Sequence, residues 1–163
     1  MTKRHFYLLM SALLLCHGIH AQGKSTNRSL FHPTDKSIQY VGRIDYSDSI
    51  HLVLLEPGVQ IRTGFTGTSL AMMAKLHSGY FMAEIDGGKP FKVSFLGNTI
   101  VNLASGLPNG THQAVITYIK GCENYPSEFH GFFVDKGKTL APARPTPICR
   151  DRKSTTRTRP LMK

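Results

Sequence analysis

Hydrophobic and polar residues alternate most regularly between residues 57 and 70. Val59, Ile61 and Phe65 fall on one side of a period-two pattern, and the polar residues between them fall on the other. Successive side chains of a strand leave a pleated backbone in opposite directions, so this pattern predicts a half-buried strand. Gly67-Thr68-Ser69 interrupts the run, and a second alternation follows it. Two alternating runs around a glycine-containing turn predict an antiparallel hairpin.

The same pattern recurs on both sides of this segment. Residues 80–85 and 91–95 alternate around Asp86-Gly87-Gly88, which predicts a second hairpin. Turn residues recur roughly every 8–12 residues, and no window outside the N-terminal segment has a helical period. We therefore predict an all-β domain over residues 37–140, a β-sandwich or a barrel of about nine or ten antiparallel strands. The order in which the strands pair is not readable from this pattern.

The N-terminal segment has the features of a signal peptide. Lys3 and Arg4 precede an apolar run from 6 to 16, and Ala21 is a small residue before a cleavage site. A transmembrane helix needs about 20 apolar residues, which is longer than this run; an uncleaved anchor is the alternative. We predict a signal peptide over residues 1–21, export to the periplasm or the extracellular space, and no membrane span after cleavage. The polar residues 22–36 predict a flexible lead-in.

The formal net charge of +10 is unevenly distributed along the chain. Residues 144–163 carry a net charge of +6, whereas residues 22–143 carry only +2. A duplex-binding surface needs clustered Lys and Arg on the folded part, so nucleic acid is not expected as a partner. Repeated prolines between 142 and 147 predict a stiff linker, and the residues that follow are almost free of apolar side chains. Residues 141–163 are therefore predicted to form a Pro-rich linker and a disordered basic tail.

The cysteine and histidine residues predict no metal or cofactor site. The chain has no Cys-x-x-Cys and no His-x-x-x-His pattern. Cys16 lies in the predicted signal peptide, where Leu15 is larger than the residue that usually precedes a lipidated cysteine. Cys122 and Cys149 either form a disulfide in an exported protein or remain free thiols, and both alternatives stay open.

Three residues are possible catalytic groups, and the sequence favours none of them. Ser69 lies in a predicted turn between strands, without the strand-to-helix elbow that exposes a serine nucleophile. His112 and His130 lie in or beside predicted strands, and the sequence suggests no Ser or Asp partner for either. We expect no catalytic, cofactor-binding or metal-binding residue in this chain.

Five motifs follow one another in order between residues 38 and 143. The motifs are Gly42-Arg43-Ile44-Asp45; Pro57-Gly58 with Phe65-Thr66-Gly67-Thr68-Ser69-Leu70; Phe81-x-x-x-Ile85-Asp86-Gly87; Leu103-Ala104-Ser105-Gly106-Leu107-Pro108-Asn109-Gly110-Thr111-His112; and Phe129-His130-Gly131-Phe132-Phe133-Val134-Asp135-x-Gly137. In these motifs the chain resembles carbohydrate esterase family 2, and the resemblance implies that this region is a jelly-roll-like β-sandwich, the N-terminal domain of that family.

The resemblance implies a second domain after the Pro-rich linker. In that family it is an SGNH (GDSL) hydrolase that packs on the jelly roll and removes acetyl groups from polysaccharides such as xylan. Its nucleophile is the serine of a Gly-Asp-Ser motif, and a histidine near the far C-terminus is its base. After Pro147 this sequence has no apolar strand and no Gly-Asp-Ser, so no catalytic residue can be carried over. The abrupt change in composition suggests a frameshift or a premature end of a longer product.

The function expected from the sequence is that of an accessory domain. It would belong to an exported polysaccharide O-deacetylase, would be inactive alone, and would have plant cell-wall polysaccharide as a partner. The alternatives are a free-standing carbohydrate-binding module and a secreted adhesion or assembly module. Sugar-binding surfaces commonly use exposed aromatic rings, and the chain has no Trp. Tyr46, Tyr80 and Tyr125, which lie near predicted loops, are therefore the candidates for carbohydrate contact.

Overall fold

The computed structural model describes residues 27–122 and 124–145, and these residues form an all-β domain. The predicted signal peptide, Cys16, Cys149 and most of the predicted basic tail lie outside the described residues. Within the described part of the chain, no helix is long and apolar enough to cross a membrane. The strands are β1 (Arg28–Phe31), β2 (Ile38–Val41), β3 (Ile44–Asp45), β4 (Leu52–Leu54), β5 (Gln60–Gly67), β6 (Leu70–Ala74), β7 (Tyr80–Ile85), β8 (Phe91–Ser94), β9 (Ile100–Ala104), β10 (Gly110–Lys120), β11 (Ser127–Asp135) and β12 (Leu140–Ala141).

The predicted all-β sandwich is confirmed, but it has twelve strands rather than nine or ten. β3 and β12 contain two residues each, which is too short for an alternation to be visible in the sequence. Sheet I has the order β3-β4-β11-β6-β9, and β1 also pairs with β11. Sheet II has the order β12-β5-β10-β7-β8, and β2 also pairs with β5. The predicted hairpin of β7 and β8 is confirmed.

The core lies between the two sheets and is rich in aromatic side chains. Phe65 and Phe81 from sheet II and Phe129 and Phe132 from sheet I have no exposed surface. The rings of Phe129 and Phe132 lie 4.9 Å apart, within the range in which aromatic pairs attract beyond their area burial. Along β10, buried residues alternate with half-buried ones. The core therefore covers one face of sheet II and leaves the other face open.

The prediction of a hairpin around Gly67-Thr68-Ser69 is wrong. β5 belongs to sheet II and β6 to sheet I, so the chain crosses between the sheets at this point. Asp135 fixes the crossing, because its Oδ2 accepts hydrogen bonds from Thr68 N at 2.7 Å and Thr68 Oγ1 at 2.9 Å. Its Oδ1 accepts a further hydrogen bond from Ser69 Oγ. Gly67 has φ +115°, and a Cβ there would lie 2.8 Å from Asp135 Oδ2, so the crossing requires glycine.

Residues 28–31 of the predicted flexible lead-in form a strand, so that prediction is wrong for this part. β1 pairs antiparallel with β11, with Phe31 opposite Phe132. The pairing is close at Gly131, beside an irregularity in the register of β11. A Cβ at Gly131 would lie 2.2 Å from the carbonyl oxygen of Phe31. Phe31 packs against the core, which explains why so short and polar a segment is held in place.

The boundary predicted at residue 141 is also wrong, because the fold continues to residue 145. Ala141 belongs to β12, which pairs with β5 opposite Gly64. Ala143 is only 9% exposed, and Arg144 N donates a hydrogen bond to Gln113 Oε1 at 2.8 Å. Residues 142–145, called the exit segment below, therefore lie on the open face of sheet II.

Candidate functional site

An open groove lies on the outer face of sheet II, beside the exit segment. The volume of the groove is about 700 Å³. Ligand sites usually have volumes of roughly 300–1,000 Å³. Strands β5, β10 and β7 form its floor, and residues 143–145 form one wall. The residues that line it are Arg62, Glu84, Asp86, Gly87, Thr111, His112, Gln113, Val115, Ala143, Arg144 and Pro145.

Strand register places a cation and an anion on either side of an apolar floor. Val115 of β10 is opposite Arg62 of β5 and opposite Glu84 of β7. Neighbouring strands are about 4.8 Å apart, so the Cα atoms of Arg62 and Glu84 are about 10 Å apart. Arg62 is oriented by Gln60, whose Oε1 accepts from Arg62 Nε at 3.0 Å. The three side chains are half-buried and belong to the outward-facing positions of their strands.

The exit segment closes one side of the groove through Gly64 and Gln113. A Cβ at Gly64 would lie 2.9 Å from Gln113 Nε2 and 3.1 Å from the carbonyl oxygen of Ala141. The absence of a side chain at Gly64 therefore lets the exit segment approach the sheet. Gln113 uses its Oε1 to accept from Arg144 N, which fixes the amide group at the end of the groove.

The buried His112 and the exposed Asp86 form an ion pair at the same end. His112 Nδ1 lies 2.6 Å from Asp86 Oδ2, and His112 Nε2 lies 2.8 Å from the carbonyl oxygen of Pro108. Only the doubly protonated imidazolium can donate from both nitrogens. The Asp86 hydrogen bond, with that to Pro108, raises the pKa of His112. Burial acts to raise the pKa of Asp86, but hydrogen bonds from His112 and Gln113 N outweigh it and leave that pKa lowered.

The three tyrosines predicted to contact carbohydrate have different surroundings. Tyr46 and Tyr125 are 57% and 52% exposed. The Tyr46 ring packs edge-on against Tyr40, and the Tyr125 ring packs against His77. Tyr80 is half-buried on the outer face of sheet II, with Lys92 Nζ 3.7 Å from its ring centroid. Of the three, Tyr80 shares the open face of the sheet with the groove, and all three remain predictions as sugar contacts.

The hydrogen-bond partners of Ser69 and His130 indicate structural roles for both residues. Ser69 Oγ donates to the carboxylate of Asp135 and thereby contributes to the crossing between sheets. His130 lies on β11, with its Nε2 3.2 Å from Glu128 Oε2. Burial lowers the pKa of His130. Within residues 27–122 and 124–145, no hydrogen bond joins a serine hydroxyl to a histidine ring, which is the contact that activates a serine nucleophile.

No cofactor or metal site is evident in the described part of the chain. No group of three His, Cys, Asp or Glu residues there could hold a metal ion. Cys122 has no cysteine partner among the described residues, and its predicted alternative partner Cys149 lies outside them. The disulfide therefore stays an open prediction.

Comparison with known proteins identifies the domain. A family model for the carbohydrate esterase 2 N-terminal domain matches residues 40–144, which is most of the described sandwich. The chain belongs to this family. The resemblance seen in the five motifs is thereby confirmed, and the match ends inside the exit segment.

Known relatives of the carbohydrate esterase 2 N-terminal domain are longer than this chain. The cellulase/esterase CelE of Acetivibrio thermocellus is 32% identical over 111 residues, which cover 66% of this chain and 14% of CelE. A family two carbohydrate esterase from Clostridium thermocellum, solved in complex with cellohexaose, is 32% identical with a TM-score of 0.55, and the match covers 69% of this chain and 35% of that chain. A carbohydrate esterase family 2 enzyme from Corynascus thermopiles, solved with a carbohydrate-binding domain, is 30% identical with a TM-score of 0.53, and the match covers 68% of this chain and 33% of that one.

Glu84, Gln113 and Val115 of the groove are not among the candidate residues predicted from the sequence. Arg62, Glu84 and Gln113 are polar residues on the outward side of three alternating strands. The alternation shows that each is outward-facing, but only the strand order β5-β10-β7 makes them neighbours. Since the pairing order could not be read from the sequence, neither could the groove.

Proposed function

We propose that this sandwich is the non-catalytic accessory domain of a polysaccharide O-deacetylase. The observation that carries the proposal is the match of residues 40–144 to the N-terminal domain of carbohydrate esterases of family 2. The match covers about a third of the solved esterase chain. In such an enzyme the sandwich packs on an SGNH hydrolase domain, which performs the deacetylation. The substrate class would be a plant cell-wall polysaccharide of the xylan type.

The proposed lack of catalysis follows from the chemistry of acyl transfer. That reaction needs a nucleophile paired with a base, and donors that stabilise the oxyanion. The hydroxyl of Ser69 is bonded to Asp135, and both nitrogens of His112 face acceptors. A ring whose two nitrogens both face acceptors has no free nitrogen to take a proton from a hydroxyl. These contacts support a structural assignment for both residues.

A free-standing carbohydrate-binding module is the second candidate function. The groove on sheet II favours it, because a groove of about 700 Å³ that is lined by both charged and apolar residues is present on this domain itself. The predicted signal peptide over residues 1–21 supports export to the periplasm or the extracellular space in either case. In both cases the polysaccharide is the partner.

The coding DNA provides the test that separates a fragment of an esterase from a free-standing module. The DNA downstream of the codon for Pro147 is translated in all three frames. A Gly-Asp-Ser motif shortly after an apolar strand in any frame is expected if the sandwich belongs to a deacetylase. The absence of such a motif from every frame would contradict this origin and favour the free-standing module.

A further inference from the structure

We propose that the groove on the outer face of sheet II binds a neutral polysaccharide chain, with Arg62 and Glu84 as its polar contacts and Val115 as its floor. All of the residues that line this site belong to the sandwich. The choice of plant-type polysaccharides as ligands rests on the proposed function, whereas the position of the site rests on the geometry.

The arrangement of polar and apolar groups suits a sugar ring. A pyranose presents C–H groups on its faces and hydroxyls around its edge. Val115 offers an apolar surface between strands, and Arg62 and Glu84 flank it on the two neighbouring strands in the same row. A ring lying on Val115 could donate hydroxyl protons to the carboxylate and accept hydrogen bonds from the guanidinium, as charge-assisted hydrogen bonds that are stronger than neutral ones.

Two polar groups of the groove have no partner among the described residues. No hydrogen bond or ion pair within residues 27–122 and 124–145 engages the Glu84 carboxylate, and none engages Gln113 Nε2. One is an acceptor and the other a donor. Both are therefore available to the hydroxyl groups of a ligand, while Gln113 Oε1 is held by Arg144 N and keeps the amide oriented.

The balance of charges favours a neutral ligand over a strongly charged one. Arg62 and Arg144 are cationic, Glu84 is anionic, and the charge of Asp86 is compensated by His112. A polyanion would meet the unpaired carboxylate of Glu84, and a polycation would meet both arginines. Hydroxyl groups, which donate and accept, are compatible with both signs.

The open face continues along β10 and is long enough for several sugar units. Val115 and Thr117 are successive outward positions, about 6.8 Å apart, and the register of β10 then shifts between Tyr118 and Lys120, so that Lys120 lies opposite Tyr80. Met82 of β7 lies opposite Thr117. Tyr80, two residues before Met82 on the same side of β7, ends this path with an aromatic ring. Tyr80, one of the three tyrosines predicted from the sequence, would thus contact the far end of the bound polysaccharide.

The test is affinity electrophoresis of the 163-residue protein through gels containing xylan, glucomannan or polygalacturonate. We expect xylan or glucomannan to retard the protein and the anionic polygalacturonate not to. Glu84→Gln keeps the shape of the side chain but replaces a charge-assisted hydrogen bond by a neutral one, and Arg62→Ala removes a charge-assisted bond; each should weaken the affinity about tenfold. Glu56→Gln makes the same change of charge in the β4–β5 loop outside the groove; relative to its own mobility in a gel without polysaccharide, it should be retarded as much as the wild type.

Three results would overturn the proposal. They are no retardation in either neutral gel, retardation in polygalacturonate alone, and retardation that both groove variants retain in full. A circular dichroism melt of each variant shows that it is folded. The accessory assignment is tested separately by the coding DNA, so a protein that fails to bind sugar leaves that assignment intact.

Discussion

Replacement of Asp135 tests the physical basis of the crossing between the two sheets. Its carboxylate accepts hydrogen bonds from Thr68 N, Thr68 Oγ1 and Ser69 Oγ. A hydrogen bond to a charged group contributes about 1.5–3 kcal/mol, but three bonds that share one half-exposed carboxylate are not additive. We expect Asp135→Ala to lower the free energy of unfolding by about 3 kcal/mol and Tm by about 10 °C.

The pH dependence of the same contact gives the prediction a second readout. The Ser69 hydrogen bond holds the pKa of Asp135 below its usual range, despite partial burial. A carboxylate whose pKa is lowered by folding contributes stability that is present above its unfolded pKa, about 3.9, and is lost as the pH falls through the folded pKa. The difference in stability between the wild type and Asp135→Asn should therefore be complete at pH 6 and shrink below about pH 3.9.

Urea unfolding followed by circular dichroism at pH 6 and pH 3 measures both quantities. Asp45→Asn is the control, because that carboxylate accepts its hydrogen bonds from Ser47 within an exposed turn. It should change stability far less than the Asp135 variants. Equal stability of Asp135→Ala and the wild type at pH 6 would refute the role of Asp135, and a difference independent of pH would refute the electrostatic origin of the effect.

Three further predictions concern other parts of the sandwich. The lowered pKa of Asp86 and the raised pKa of His112 make their ion pair most stabilising between about pH 4 and 6.5. The amount by which Tm of the wild type exceeds Tm of His112→Gln should therefore fall from pH 6 to pH 9. A difference in Tm that stays constant over this range would contradict the ion pair. Phe81→Ala should cost about 3–5 kcal/mol in urea unfolding, and a loss below about 1 kcal/mol would contradict its place in the core. Gly131→Ala should lower Tm clearly, because the added Cβ meets the backbone of β1, whereas Gly97→Ala has nothing within 4 Å and should not; equal melting temperatures would contradict the pairing of β1.

Most of the strands could be predicted from the sequence, because they depend on local alternation; the short strands β1, β3 and β12 could not. β7 and β8 were also paired correctly, since Asp86-Gly87-Gly88 connects them directly. The same reasoning failed at Gly67-Thr68-Ser69. There the direction of the chain depends on Asp135, which is 66 residues from Ser69 in the sequence, and no local pattern records such a contact.

Two of the family motifs have a structural explanation once the fold is known. The motif that ends in Thr68-Ser69 and the motif that contains Asp135 meet at the crossing. In the sequence, these two motifs resemble a catalytic site, because serine, threonine and aspartate also occur as catalytic residues. The structure instead shows hydrogen bonds that join two sheets. Arg62, Glu84 and Val115 have no such motif, because an outward row exists only after three strands have paired.

The release of acetate by the purified chain tests the central claim most directly. Acetylated xylan and p-nitrophenyl acetate are the substrates, CelE is the positive control, and Ser69→Ala is the matched variant. A non-catalytic accessory domain should release acetate no faster than buffer, with no difference between the wild type and Ser69→Ala. Release that rises in proportion to the concentration of the chain, and that Ser69→Ala abolishes while the fold is retained, would contradict the claim.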